Sequence, residues 1–161
     1  MMAKLRSCGI LLYRNSGLGA EVFLGHMGGP FWSRKDAAAW SIPKGEPLAA
    51  EADLAAALRE FREEIGAEAP DEHYRHFGDF TQSSGKVVTV FAASTSADVV
   101  FVESNTFETE WPPRSGRMQS FAEIDRAEWV ELDAALEKVV KGQVPMLQQL
   151  ARQLSAGDAH P

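Results

Sequence analysis

Three carboxylates fall close together in the run Arg59-Glu60-Phe61-Arg62-Glu63-Glu64-Ile65-Gly66. At about 100° per helical residue, Glu63 and Glu64 sit roughly 60° and 40° to either side of Glu60, so all three share one face. Leu54, Leu58, Phe61 and Ile65 gather on a separate stripe, suited to packing on a sheet. Like charges at these spacings repel by on the order of 0.3 kcal/mol per pair, so something must offset them. A divalent cation is the simplest answer. Mg²⁺ is hard, prefers carboxylate oxygens and shares its remaining positions with water and substrate phosphates. The bland alternative is a solvated helix face on which Arg59 and Arg62 screen the acids.

Spacing decides between these readings. Gly45 is followed, after five residues, by Glu51, then after seven more by Arg59, Glu60, Phe61, Arg62, Glu63, Glu64, Ile65, Gly66 and Ala67. The pattern Gly, Glu, Arg-Glu-apolar-x-Glu-Glu-x-Gly-apolar resembles the Nudix box. Every charged and Gly position matches; Phe61 and Ala67 are less usual at the aliphatic positions. The resemblance implies an α/β/α sandwich with a mixed β-sheet and hydrolysis of a nucleoside diphosphate linked to another moiety. It implies that Glu60, Glu63 and Glu64 bind the metal and that the Gly45 carbonyl completes the site. In the same way, Arg59 would orient the carboxylates by salt bridges and Glu51 would support the loop and helix. The metal would be Mg²⁺, with Mn²⁺ as a substitute. Glu63 is favoured as general base, with Glu103, Glu108 and Glu110 as rivals outside the box.

The box is preceded by Trp40-Ser41-Ile42-Pro43-Lys44-Gly45. This W-x-x-P-K-G lead-in is similar to Nudix members acting on dinucleoside polyphosphates and diphosphoinositol phosphates. Lys44 is therefore expected to contact phosphate, and Lys86 is a second candidate. Trp111, Arg114 and Arg117, in the stretch Glu110-Trp111-Pro112-Pro113-Arg114-Ser115-Gly116-Arg117, pair a stacking ring with two guanidinium groups, a combination able to hold a base and phosphates. Phe31 and Trp32 are weaker stacking candidates. Trp40 and Trp129 read as core, and His26, His73 and His76 as structural or surface residues. The expected substrate is a small nucleotide polyphosphate of the Ap4A kind. An oxidised nucleoside triphosphate is the nearest enzymatic alternative, and a nucleotide sensor without turnover is the alternative of another class.

The elements that must position these groups follow from pattern. Residues 5–13 and 21–26 read as a hairpin around Asn15-Ser16-Gly17. Residues 31–39 read as a loop and 38–42 as a short strand ending at Pro43. Ala49 to Ile65 is rich in Ala, Leu, Glu and Arg and stops at Gly66, which predicts a helix. Two strands, 74–82 and 86–93, flank Ser83-Ser84-Gly85. Residues 98–116 read as a long loop, 128–132 as a strand, 133–141 and 144–154 as helices, and 155–161 as a tail. One domain, 1–154, is expected.

Bulk properties agree. The chain has 161 residues, 45% hydrophobic and 24% charged, enough for a single core. A net charge of −7 argues against a nucleic-acid-binding face. No apolar run approaches the roughly 18 residues that would cross a bilayer. The N-terminus lacks the long apolar core and cleavage site of a signal peptide, so the default location is cytoplasmic and no membrane partner is expected. The single cysteine, Cys8, lies in a strand-like run and reads as a small core residue. The sequence leaves the oligomeric state open.

Overall fold

In the computed structural model, residues 5–17 and 19–158 are described. The long strands come first. β1 (Arg6–Asn15) and β2 (Ala20–Met27) form the expected antiparallel hairpin. β3 (Trp40–Ser41) pairs with β2, and β4 (Lys44–Gly45) pairs with β1. After helix α1 (Asp53–Ile65) come β5 (Arg75–Thr81) and β6 (Val87–Ser94), antiparallel to each other. β6 lies parallel to β1 over its whole length, Arg6 opposite Val87 through Tyr13 opposite Ser94. β9 (Ile124–Glu131) closes the far side against β2. The sheet is therefore mixed, with order β3-β2-β1-β6-β5 and with β4 on β1 and β9 on β2.

Alternation along β1 splits the core in two. Cys8, Ile10 and Leu12 face α1, where they meet Phe23, Ala56, Ala57, Phe61 and Ile65. Leu11 faces the other way and joins Val22, Leu24, Trp40, Met146, Leu147 and Leu150 beneath α2 (Leu132–Lys138) and α3 (Val144–Asp158). This is the anticipated α/β/α sandwich. The apolar stripe of α1 packs as its wheel predicts: Phe61 and Ile65 are fully buried, Leu54 and Leu58 partly so. Truncating a residue such as Phe61 to Ala costs about 3–5 kcal/mol.

Several boundaries differ from the expectation. α1 begins at Asp53, not Ala49. Ala50 adopts a φ of 63°, and the Glu51 carboxylate accepts the Leu48 N–H at 2.9 Å, so these residues form a turn despite their helical propensity. The expected loop 98–116 contains β7 (Thr106–Glu110), which pairs with β8 (Met118–Ala122) as a separate two-stranded sheet. β9 starts at Ile124, earlier than the expected 128. Residues 155–158, read as tail, are the last turn of α3. No described helix is long and apolar enough to cross a membrane.

Candidate functional site

The site is assembled where α1 ends against a chain of backbone hydrogen bonds. Gly66 takes a φ of 84° and donates to the Arg62 carbonyl, stopping the helix. The freed carbonyls of the last turn are then occupied from outside. Val102 N–H bonds the Ile65 carbonyl at 2.8 Å and Asn105 N–H bonds that of Glu63 at 2.8 Å. The Asn105 carbonyl accepts from Glu123 N–H at 2.9 Å, and the Glu123 carbonyl accepts from Gly28 N–H at 2.8 Å. These links tie the segment entering β9, and the loop carrying Trp32, to the acidic face of α1.

A cleft of about 750 Å³ results. Glu60, Glu63, Glu64 and Glu123 line it with Gly45; Lys44, Lys86, Trp32, Asn105 and Phe107 complete the walls. Arg59 organises the acidic side. Its Nε and Nη2 meet both oxygens of Glu51, at 2.9 and 3.0 Å. Its Nη1 donates to Glu60 at 2.9 Å and Glu63 at 3.1 Å, and its Nη2 also reaches the Glu46 carbonyl at 3.0 Å. A bidentate guanidinium grip of this kind fixes direction as well as charge.

Electrostatics follow from burial. Glu64 is buried, and desolvation pushes its carboxyl up to about 8, against the pull of Lys44. Burial also raises Glu60, with the Arg59 hydrogen bond opposing it. Glu123 is raised by burial and then by repulsion from Glu60 and Glu63. The Lys44 ammonium is lowered, first by burial and then by Lys86. The Lys44 backbone N–H also points at Glu64 Oε2, at 3.4 Å. The cleft thus sets a crowded acidic wall against two lysines.

Among the described residues, no three acidic, imidazole or thiol groups already enclose an ion. Glu60 and Glu63 each give an oxygen to Arg59. The donor chemistry nevertheless fits a hard divalent cation: oxygen ligands only, held together against their own repulsion. The absence of a side chain at Gly45 is part of that fit, because it leaves the room that the Glu60 carboxylate fills.

Of the residues singled out from sequence, Glu60, Glu63, Glu64, Gly45, Lys44 and Lys86 meet in this cleft, and Trp32 joins them. Glu51 and Arg59 brace it from behind. Trp111, Arg114 and Arg117 do not line it. They sit at the tip of the β7–β8 hairpin, about 20 Å along the strand from Asn105 at roughly 3.4 Å per residue. Trp111 instead packs edge-on against Phe31, with centroids 5.4 Å apart. Glu103, Glu108 and Glu110 do not line the cleft either; Glu123 does, and it was not foreseen. The pairing of β9 with β2 and the backbone bonds of Glu123 to Asn105 and Gly28 bring it there, and no local pattern marks it.

The other residues lie away from the chemistry. Trp40 is buried, and Trp129 is partly buried beneath the Arg14 guanidinium at 4.2 Å. His26 is buried between Asp125, at 2.8 Å, and the Lys35 carbonyl, at 2.6 Å. His73 is exposed, and exposed His76 pairs with Asp79. Cys8 is fully buried, and burial pushes its thiol up to about 11, as suits a core residue.

Comparison with known proteins places this arrangement. The family model described as NUDIX domain matches residues 3–150. No curated protein matches the chain. Among solved structures, a C. elegans Ap4A hydrolase binary complex is 19% identical with a TM-score of 0.66, covering 93% of this chain and 98% of that one. The NUDIX domain of Shewanella oneidensis NrtR complexed with ADP ribose is 16% identical, TM-score 0.64, covering 96% and 90%. A Nudix hydrolase from M. smegmatis, RenU, is 20% identical, TM-score 0.64, covering 98% and 89%. At these identities the structural likeness speaks for the fold.

Proposed function

The chain belongs to the NUDIX family and is a hydrolase of phosphoric anhydride bonds, and we propose that it acts, with Mg²⁺, on a dinucleoside polyphosphate of the Ap4A kind. The observation that carries this reading is the cleft itself. An acidic wall of Glu60, Glu63, Glu64 and Glu123 faces Lys44 and Lys86. A pyrophosphate link needs cation-holding oxygens on one side and cationic donors on the other, so both demands are met within one cavity. The neighbour named as an Ap4A hydrolase and the W-x-x-P-K-G lead-in at Trp40 to Gly45 support the substrate choice.

Glu60, Glu63 and Glu64 would hold the divalent cation, with the Gly45 carbonyl beside them. Such an ion supplies Lewis-acid polarisation of a phosphoryl oxygen and a more acidic bound water. The protein's own residues do the rest. Arg59 keeps Glu60 and Glu63 aimed into the cleft. Lys44 and Lys86 bind phosphate oxygens whose charge grows as the anhydride breaks. The water that attacks phosphorus gives its proton to a carboxylate. Glu63 is one candidate for that base. Glu123 is the other, since it lines the cleft and takes part in no ion pair among the described residues.

The test is turnover of Ap4A, 8-oxo-dGTP, ADP-ribose and NADH with Mg²⁺, and with Mn²⁺ in its place. Preference for Ap4A supports the proposal. Preference for 8-oxo-dGTP makes the protein a sanitising enzyme instead, and binding without turnover makes it a sensor.

A further inference from the structure

A second cavity, of about 320 Å³, adjoins the catalytic cleft. The two share Met27, Trp32, Ser41 and Lys44. Beyond this common wall the character changes. Glu46, Glu60, Glu63, Glu64 and Glu123 line the cleft, whereas among the described residues no acid lines the annex. Its polar groups are Gln82, Ser83, Ser84 and Lys141, along with the shared Ser41 and Lys44. In a chain with a net charge of −7, a cavity with two lysines and no acid stands out. Lys138 pairs with Asp36, whereas Lys44 and Lys141 enter no ion pair among the described residues, Lys44 having Glu64 as its neighbour on the cleft side.

The annex is built from anchored segments. Lys141 opens a 3-10 turn, Lys141–Gln143, whose last residue is buried. The Gln143 side chain accepts from Ile42 N–H at 3.0 Å and donates to Ser41 Oγ at 2.9 Å. Val140 N–H bonds the Trp40 carbonyl at 2.9 Å. These bonds fix the turn to residues 40–42, just ahead of Lys44 in the chain. Gly142 presses on the β5–β6 turn so closely that a Cβ there would lie 2.7 Å from Gln82 Cγ. On that turn, Ser84 Oγ accepts from Lys86 N–H at 3.4 Å, which leaves its own O–H free to donate. Two lysines and the hydroxyls of Ser83 and Ser84, with no acid beside them in the annex, supply donors suited to an anion, and Met27, Trp32 and Val140 form the apolar part of the same wall.

We propose that this annex binds the distal phosphates of the substrate, those beyond the anhydride held at the carboxylates, with Lys141 and Lys44 as cations and Ser83 and Ser84 as donors. The proposal rests on the hydrolase reading above and deepens it. The substrate class is an oligophosphate longer than a simple diphosphate bridge. A polyphosphate chain and a phosphate-crowded polyol share this chemistry.

Calorimetric titration of the whole protein with inorganic tripolyphosphate, without divalent metal, tests the site directly. Lys141 is exposed, so Lys141→Gln leaves the fold intact. The variant should bind roughly tenfold more weakly than wild type, as expected for losing one charged contact. Glu63→Gln, on the acidic wall, should bind as well as wild type or better. Equal binding by wild type and Lys141→Gln, equal losses in both variants, or no binding by wild type would overturn the proposal.

Kinetics separate the two sources. Lys141→Gln should lower kcat/KM about tenfold more for the true class, Ap4A or a diphosphoinositol phosphate, than for ADP-ribose. Equal losses across all three would overturn the proposal. Lys141-dependent tripolyphosphate binding in a protein that turns over no substrate would sink the hydrolase reading while leaving the annex in place.

Discussion

Gly45 and Glu60 lie so close that no side chain fits between them: a Cβ at Gly45 would stand 2.1 Å from Glu60 Cδ and 2.2 Å from its Oε2. The obstructing atoms are the end of a flexible side chain, so Gly45→Ala should turn the carboxylate aside rather than break the fold. A displacement of about 1 Å at a reacting centre can cost about a hundredfold in rate. Gly45→Ala should therefore lose about that factor in kcat/KM while its Tm stays within about 3 °C of wild type. A large fall in Tm with activity preserved per folded molecule would contradict this account.

The acidic wall yields a graded set of variants. Glu63→Gln and Glu64→Gln should each lower kcat by orders of magnitude with unchanged far-UV circular dichroism, and chelation with EDTA should abolish turnover of the wild type. Near-wild-type rates with Mg²⁺ in both variants would refute the metal assignment. Glu123→Gln separates the candidate bases. If Glu123 accepts the proton, this variant loses the acid limb of the kcat pH profile; if Glu63 does, the limb persists.

At the C-terminal end of α1, Gly66 has no comparable freedom. Its φ is 84°, and a Cβ would meet Glu103 O at 2.6 Å and Glu103 N at 2.7 Å. Both atoms are backbone and cannot swing away. Gly66→Ala should cost about 2–3 kcal/mol, lowering Tm by about 4–10 °C in calorimetry. Activity should fall with it, because the 102–105 segment is hydrogen-bonded to the same helix end.

Glu51 links stability to pH. Its carboxyl is held below the usual range, first by Arg59 and then by the Leu48 N–H. A depressed folded-state pKa contributes stability above the unfolded value, about 4.3, and loses it as pH falls through the folded value. Urea midpoints should thus drop between about pH 5 and pH 3 in the wild type. Glu51→Gln should be less stable at neutral pH and show a shallower acid limb. An identical slope in both proteins would rule Glu51 out as a contributor.

Local pattern carried α1 and the convergence of its carboxylates, because wheel geometry and the Gly66 stop are properties of neighbouring residues. The β1–β2 hairpin was legible for the same reason. The β7–β8 hairpin was not, since most of its side chains are exposed and only Phe107 and Phe121, paired across the strands, supply apolar alternation. Ala49 to Ala52 favour helix intrinsically, yet α1 starts only at Asp53, because the Glu51 carboxylate is held by Arg59 and the Leu48 N–H in a turn. Glu123 could not be found locally at all. Its position depends on β9 reaching β2 and on the irregular register between His26 and Met27.

The parallel pairing of β1 with β6 sets the order of events during synthesis. Residues 6–15 leave the ribosome early, yet their parallel neighbour spans residues 87–94. The second strand waits longer still, since its partner spans residues 124–131. Until then β3 and β4 cover only two residues on each strand, and the rest of the nascent hairpin presents unpaired edges and apolar faces to the surrounding medium. Completion of this sheet therefore waits on a strand more than a hundred residues downstream of the one it covers, and slower synthesis of the intervening chain lengthens the exposure of β2 to aggregation.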